Sequence, residues 1–161
     1  MAIDTRPSAS PTPRGHTDAP AASADARILG MVCRNCRRSQ PIGLSYVCAA
    51  CFGPLEVQYD YAVVARTFTR EAIAARKPGI WRYAELLPVE VPPTRGLPVG
   101  STPLTTADRL GPTLGIDRLW LKDDTRNPSL SFKDRAVAVA AARAVEFGVE
   151  ALACASTGNL A

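Results

Sequence analysis

Two closely spaced pairs of cysteines constrain the fold of this chain more than any other sequence feature. Cys33 and Cys36 form one CxxC pair, Cys48 and Cys51 form a second, and eleven residues separate the two pairs. Two such turns that face each other bring four thiolates within reach of one tetrahedral metal ion. A shell of four cysteines is typical of structural zinc, because it leaves no coordination position for water. The pattern therefore predicts a small zinc ribbon.

Two alternatives to a zinc ribbon remain open: a ribbon whose four reduced thiols hold no metal, and a redox-active CxxC pair. The spacing of eleven residues is shorter than in common ribbons, although the turn formers between the pairs still permit a hairpin. Gly53-Pro54 fits a tight turn after the second pair. Neither pair opens a helix after a core strand, so we favour zinc over redox chemistry. The basic cluster Arg34, Arg37 and Arg38 is explained by a solvated surface as well as by nucleic-acid binding.

The composition divides the chain into four segments. Residues 1–27 are rich in Pro, Ala, Ser and Asp, and they have so little to bury that we expect a disordered tail. Residues 28–61 contain the ribbon and end in a strand-like stretch, LEVQYDY. Residues 62–100 comprise a helix candidate, Val63 to Arg76, and a proline-rich connector. Residues 101–161 are expected to begin a further domain.

The last segment reads as alternating strand and helix. "DRLWLKDD" predicts a strand, "SFKDRAVAVAAARAVEFG" a helix that ends at Gly148, and "EALACAS" a short buried strand that contains Cys154. Strand, helix and strand at this spacing are typical of a parallel α/β unit. The small residues of the helix indicate that it is buried against a sheet.

Charge and hydropathy exclude several classes of protein. Apolar residues make up 47% of the chain and the net charge is +4, without a dense basic stripe, so we expect no nucleic-acid partner. No apolar run is long enough to span a membrane, and no signal peptide follows the amino terminus. We therefore expect a cytoplasmic protein.

Lys133 occupies an unusual place, at the mouth of the predicted helix. Ser131 and Asp134 form an S-x-x-D capping signature, which puts Lys133 in the first turn. Backbone N–H groups make that turn electropositive, so we expect the pKa of the Lys133 ammonium to fall, as an amine nucleophile requires. The alternative is a surface lysine that pairs with Asp134 or Asp123.

A second polar cluster follows the last predicted strand. "ALACASTGN" ends in two hydroxyl residues, a glycine and an amide. Ligands of open parallel sheets bind beyond the carboxyl ends of strands, where Ser156, Thr157 and Gly158 would suit a carboxylate. The alternative is the ordinary amino-terminal cap of a following helix.

These two clusters together resemble the pyridoxal-phosphate enzymes of fold type II, the tryptophan-synthase-β-like group, and the threonine synthases most closely. The resemblance is carried by Asn127-Pro128, Ser131-Phe132-Lys133-Asp134-Arg135, Ser156 to Asn159, and Gly100 to Leu104. It implies that Lys133 binds the cofactor covalently and is the catalytic residue. It also implies that Asn159 donates a hydrogen bond to the phenolic oxygen of the cofactor, and that Ser156, Thr157 and Gly158 hold the substrate carboxylate.

The resemblance implies a lyase that converts O-phosphohomoserine and water to threonine and phosphate, acting as a homodimer. The chain departs from the family at Ser129-Leu130, where Thr-Gly is usual, and at Leu160, where a hydroxyl residue is common. A dehydratase or a β-replacement synthase of the same fold is therefore an alternative, and a zinc-ribbon regulatory protein with a vestigial enzyme segment is another. Because no glycine-rich phosphate loop is present, we expect an amino-terminal fragment of a longer enzyme that is inactive alone.

Overall fold

The computed structural model describes residues 26–156 and residue 158. The tail that we expect to be disordered therefore lies almost wholly outside the described residues. The described part mixes helices and strands, as the predicted α/β class requires. In chain order the elements are β1 (Ile28–Cys33), β2 (Ser39–Gln40), β3 (Leu55–Tyr59), α1 (Tyr61–Val64), α2 (Arg70–Ala75), a 3₁₀ helix (Ile80–Leu86), β4 (Leu104–Thr106), α3 (Leu110–Thr113), β5 (Trp120–Lys122), a 3₁₀ turn (Asp124–Arg126) and α4 (Lys133–Glu146).

The cysteine-rich segment folds around a three-stranded antiparallel sheet in the order β2-β1-β3. The predicted strand LEVQYDY is confirmed as β3, and Met31 of β1 pairs with Val57 of β3. An isolated bridge between Val47 and Pro54 closes the loop that carries the second cysteine pair. Only a few side chains in this sheet are buried, Met31 and Cys33 among them. Apolar burial alone therefore stabilises the module little.

The helix predicted from Val63 to Arg76 is wrong as one element, because the structure divides it into α1 and α2. The Asp60 carboxylate caps α1 by accepting from the backbone N–H groups of Ala62 and Val63. The Thr69 hydroxyl caps α2 in the same way by accepting from Ala72 N–H at 3.2 Å. A threonine that caps a new helix competes with continuation of the previous one. The second cap therefore ends the predicted single helix.

A partly buried ion pair fixes the end of α2 to the 3₁₀ helix. The Arg76 guanidinium donates to both carboxylate oxygens of Glu85, whose side chain is buried. These hydrogen bonds lower the pKa of Glu85. Arg27, just before β1, donates to the carbonyl oxygens of Ala84 at 3.0 Å and Val89 at 3.2 Å. The arginines thus join the start of the ribbon to the connector.

The proline-rich connector runs along α4. The Glu146 carboxylate accepts from the backbone N–H of Glu90 at 2.7 Å and that of Val91 at 3.3 Å. A groove of about 370 Å³ lies between the connector and α4. Val137 and Val145 of α4 remain exposed, so the expectation that this helix is buried is wrong for the part of the protein that is described. Burial of the apolar face of α4 requires a neighbouring helix or strand, which the described residues do not supply.

The predicted parallel α/β unit is likewise not formed by the described residues. β4 and β5 pair antiparallel, with Thr105 opposite Leu121. Residues 151–155, predicted to form a strand, have no regular secondary structure, and Cys154 is exposed instead of buried. A strand forms only where another strand accepts its backbone hydrogen bonds. No such partner lies beside residues 151–155 in the described structure.

The end of α4 follows its sequence signal. Gly148 has a left-handed φ of +63° and donates to the carbonyl oxygen of Val145 at 3.0 Å. The next residue, Val149, donates to that of Ala144 at 2.9 Å. This pair of bonds is the Schellman arrangement, which a glycine accepts without steric cost. The predicted helix stop at Gly148 is confirmed. In the described residues, no helix is both long and apolar enough to cross a membrane.

Candidate functional site

The fold brings the four cysteines of the two CxxC pairs into one cluster. All four sulfur atoms lie within 4.8 Å of one another. The sulfurs of Cys33 and Cys51 are 3.5 Å apart, and those of Cys36 and Cys48 are 3.7 Å apart. A tetrahedral zinc ion with Zn–S bonds of about 2.3 Å requires sulfurs about 3.8 Å apart. The four side chains therefore fit one such ion.

The two CxxC turns have the same backbone conformation. Arg37 N–H donates to the carbonyl oxygen of Cys33 at 3.0 Å, and Phe52 N–H donates to that of Cys48 at 2.9 Å. Both donors have left-handed φ values, 61° for Arg37 and 56° for Phe52. Gly53 follows the second turn, where an added Cβ would lie 2.9 Å from the sulfur of Cys33. Glycine is required there because the backbone passes directly against a candidate ligand.

The thiols of this cluster differ in pKa, because backbone hydrogen bonds and neighbouring sulfurs act on them unequally. The backbone N–H of Cys36 stabilises the thiolate of Cys33 and lowers the pKa of that thiol to about 6. The Gly53 N–H acts in the same direction on Cys51, but the neighbouring sulfurs of Cys33 and Cys36 outweigh it and raise the pKa of Cys51 to about 11. Four thiolates so close together repel one another. A bound divalent cation would remove that repulsion, so the donor set suits a metal ion.

Lys133 is the first residue of α4, and its side chain is exposed. The Ser131 hydroxyl accepts from the backbone N–H of Lys133 at 3.3 Å, but the helix has no side-chain cap at Phe132. The Asp134 carboxylate accepts instead from Ser129, from its N–H at 2.8 Å and its hydroxyl at 2.5 Å. The capping box predicted between Ser131 and Asp134 is therefore wrong, because Asp134 closes the preceding turn.

The ion pair considered as an alternative for Lys133 is also absent. Asp123 binds the backbone N–H and hydroxyl of Thr125, and Asp134 binds Ser129. In the described part of the chain, no hydrogen bond or ion pair engages the ammonium group of Lys133. An exposed amine with no partner is accessible to a reacting carbonyl group.

Buried polar side chains surround the turn that leads into Lys133. The structure describes four buried polar or charged residues, and three of them, Thr102, Asn127 and Asp134, lie in or against this turn. The Asn127 side chain accepts from Gly100 N–H at 3.0 Å and donates to the carbonyl oxygen of Asp124 at 3.0 Å. Both ends of the Asn127 amide are therefore satisfied, as a buried amide requires.

An arginine–aspartate pair links α4 to the segment at Gly100. Arg135 donates to both carboxylate oxygens of Asp124, at 2.9 Å from Nε and 2.7 Å from Nη2. The Thr102 hydroxyl donates to Asp124 at 2.6 Å. The Arg135 hydrogen bonds, followed by that of Thr102, hold the pKa of Asp124 well below its usual range. Asp124 is therefore ionised at neutral pH, and the pair is charged.

Sequence reasoning missed most of this network. Asn127 and Arg135 stood inside the lysine motif, and Thr102 inside the Gly100–Leu104 match, but none was assigned a role. Asp124 was not singled out at all. A signal did exist, because Asp124 lies three residues before the motif and eleven residues before Arg135, which ends it. Their partner Thr102 is 22 residues from Asp124, and only the fold reveals that contact.

The predicted carboxylate loop is described only in part. The Ser156 hydroxyl accepts from Gly158 N–H at 3.1 Å, so this stretch closes a tight local turn. Thr157, Asn159 and Leu160 lie outside the described residues. Their roles toward the substrate and the cofactor stay predictions.

Gly100 lies at the closest approach between the connector and this network. Its φ is +90°, and an added Cβ would lie 2.8 Å from Ile80 N and 3.3 Å from Arg135 Nη1. We expect Gly100→Ala to lower the free energy of unfolding by about 1–3 kcal/mol, because both the backbone conformation and the space forbid a side chain. Chemical denaturation measures the change. Gly43→Ala is the matched control, since nothing lies within 4 Å of that position, and an equal loss in both variants would contradict the prediction.

Comparison with known proteins shows which proteins this chain is similar to. Residues 96–161 match the family model described as pyridoxal-phosphate dependent enzyme. The chain is 43% identical over 114 residues to a threonine synthase of Methanosarcina acetivorans, which covers 71% of this chain and 27% of that protein. It is 40% identical over 129 residues to a threonine synthase of Methanocaldococcus jannaschii, with 79% of this chain and 32% of that protein covered.

A bacterial threonine synthase, from a Bacillus species, is 46% identical over 79 residues, which cover 48% of this chain and 22% of that protein. The chain thus spans between about a quarter and a third of the two archaeal relatives. No solved structure matches the chain.

Proposed function

We propose that this chain, a relative of threonine synthases whose residues 96–161 belong to the family of pyridoxal-phosphate dependent enzymes, carries the cofactor lysine of an enzyme that forms threonine. The reaction would convert O-phosphohomoserine and water to threonine and phosphate. The single observation that carries the proposal is Lys133, an exposed amine without a hydrogen bond or ion pair among the described residues, on a turn whose buried polar groups are satisfied.

Lys133 fits the cofactor because a covalent bond to a pyridoxal carbonyl needs an accessible, unpaired amine. When bound, the cofactor supplies an electron sink for the carbon atoms of the substrate. Lys133, at the start of α4, would hold the cofactor through Nζ. Nζ of Lys133 would also be placed to accept a proton from the carbon atoms of the substrate and to return it. Its position on a helix, with only its own side chain mobile, suits both tasks.

The remaining site residues are proposed from the sequence. Ser156, Thr157 and Gly158 would bind the substrate carboxylate, and Asn159 would donate to the phenolic oxygen of the cofactor. Ser156 and Gly158 share one local turn, in which the Gly158 N–H donates to the Ser156 hydroxyl at 3.1 Å, so the first role rests on the sequence alone. The homodimer, the cytoplasmic location and the absence of a nucleic-acid partner stay predictions of the sequence, as do the domain boundaries.

For the cysteine cluster we propose one structural zinc ion held by Cys33, Cys36, Cys48 and Cys51. The sulfur separations and the four-thiol donor set support zinc. With four protein ligands no position is left for a substrate or a water molecule. The ion would therefore stabilise the ribbon and take no part in catalysis.

A dehydratase is the second candidate, on one specific observation. Leu130 occupies a left-handed position, with φ of 60°, where the family usually has glycine, and its side chain is 72% exposed. An apolar side chain three residues before Lys133 would alter the surroundings of the amine. It would change which substrate is accepted more readily than whether the cofactor binds.

The experiment that tests the function is a substrate assay on the protein at its natural length. We expect phosphate and threonine in equal amounts from O-phosphohomoserine in the presence of pyridoxal phosphate. Formation of a 2-oxo acid from serine or threonine, without phosphate release, would favour the dehydratase. Neither activity, with no cofactor bound at Lys133, would favour the regulatory protein with a vestigial enzyme segment.

A further inference from the structure

We propose that Asp124, Arg135 and Thr102 are positioning residues for Lys133. This proposal rests on the role proposed for Lys133 as the cofactor lysine. The three side chains form one hydrogen-bonded cluster, hereafter the Asp124 cluster, which joins the turn before α4, the first turn of α4 and the connector. None of the three residues needs to touch the cofactor to act, because Arg135 belongs to the helix that begins at Lys133 and the other two hold its guanidinium.

The cluster acts on Lys133 through the helix backbone. Arg135 is two residues beyond Lys133, and its guanidinium is held at three points, by both oxygens of Asp124 and by the Thr102 hydroxyl at 3.1 Å. A planar guanidinium held by a carboxylate fork has little freedom to rotate. Because neighbouring residues of one helical turn move together, fixing Arg135 fixes the direction from which the Lys133 side chain leaves the backbone.

The turn before Lys133 is held from its other side by two further contacts. Asn127 is 2% exposed and joins Gly100 to Asp124, and the Asp134 carboxylate holds Ser129 twice. Between these anchors Leu130 has a φ of 60°, an unfavourable conformation for a leucine. Such strain persists only where the surroundings determine the backbone completely. The turn is therefore held in one conformation against a local preference for another.

The position of the Lys133 amine depends on the backbone that carries it. No hydrogen bond or ion pair of its ammonium group holds it among the residues that the structure describes, and the side chain has four rotatable bonds. The reacting amine is consequently located only as well as its backbone is. A displacement of about 1 Å at a reacting group can cost about a hundredfold in rate. A lysine that holds a cofactor therefore requires a rigid backbone, because its own side chain is flexible.

The test compares Asp124→Asn with Glu85→Gln in the protein at its natural length. Glu85 also receives a two-point hydrogen bond from an arginine, Arg76, and lies outside the Asp124 cluster. Both substitutions keep the side-chain shape and remove a charge. Thr102→Val is a milder second variant, in case Asp124→Asn fails to fold. Three quantities are measured: the melting temperature, amide hydrogen exchange of peptides covering residues 127–134 without cofactor, and the rate at which borohydride traps pyridoxal phosphate on Lys133.

We expect Asp124→Asn to speed exchange in residues 127–134 about tenfold and to slow trapping by about tenfold to a hundredfold. Thr102→Val should shift both in the same direction by less. Glu85→Gln should lower the melting temperature without changing either quantity.

The proposal is overturned if Glu85→Gln slows trapping as much as Asp124→Asn at an equal loss of melting temperature, since the cluster would then matter only for stability. Unchanged exchange at residues 127–134 in both Asp124→Asn and Thr102→Val would also overturn it. Failure of the wild-type protein to trap the cofactor on Lys133 is a different result. It would refute the proposed function of Lys133, while the exchange experiment would still decide whether the cluster fixes the turn.

Discussion

Lys133→Ala will lose turnover by at least about a thousandfold, because it removes both the amine that holds the cofactor and the group that moves protons. Lys133→Arg will lose as much, since a guanidinium remains protonated and cannot act as this nucleophile. Both variants should keep the wild-type melting temperature, because the exposed Lys133 side chain has no hydrogen-bond or ion-pair partner in the described part of the protein. Steady-state phosphate release from O-phosphohomoserine measures the effect on the protein at its natural length.

Lys77→Ala is the matched control, since Lys77 is an exposed lysine between α2 and the 3₁₀ helix. It should retain full activity. Borohydride reduction followed by peptide mapping should find pyridoxal phosphate on the peptide with Phe132, Lys133 and Asp134. An adduct on Lys77 or Lys122, or full turnover by Lys133→Ala, would refute the assignment. Lys122 is a useful comparison because its ammonium group already donates to the carbonyl oxygen of Thr102.

Removal of metal from the four-cysteine cluster is expected to unfold the ribbon sheet. Structural zinc in small modules contributes on the order of 10 kcal/mol of apparent folding free energy at neutral pH. The buried apolar side chains of this sheet cannot replace that, since they are few. Metal analysis and native mass spectrometry should find one zinc ion per chain in a reduced sample. Chelation should then make the amides of β1 and β3 exchange freely.

Cys33→Ser should have the same effect as chelation, because Cys33 is fully buried and its sulfur contacts that of Cys51. Cys154→Ser is the control, since Cys154 is exposed and lies outside the cluster. It should leave both the zinc content and the exchange of β1 unchanged. A protein that binds no metal, whose four clustered thiols all react freely with an alkylating reagent, would contradict the prediction.

The two helices that replace one predicted helix show how local signals compete. An apolar pattern continued from Val63 to Arg76, and it alone favoured one element. The Thr69 hydroxyl could instead cap a new helix, and the structure uses that cap. The sequence is compatible both with one helix and with two.

The failed capping box at Ser131 has a similar cause. The spacing of Ser131 and Asp134 was correct for a capping box, but the Asp134 carboxylate binds Ser129 and is buried in doing so. Spacing along the chain identifies which groups can meet. It does not decide between two partners at similar distance, because that choice depends on which arrangement leaves fewer buried groups unpaired.

Features that depend on a few consecutive residues were determined by the sequence itself. The two CxxC turns, the turn at Gly53, the strand at Leu55–Tyr59 and the helix stop at Gly148 follow from local backbone geometry. The tertiary structure alone decided the partners of buried polar groups. Asp124, Thr102 and Arg135 meet across 11 to 33 residues of chain, and a partly buried carboxylate such as that of Asp124 is stable only beside the donors that the fold supplies. The sequence therefore singles out Lys133, and only the fold shows which polar side chains surround the turn that leads into it.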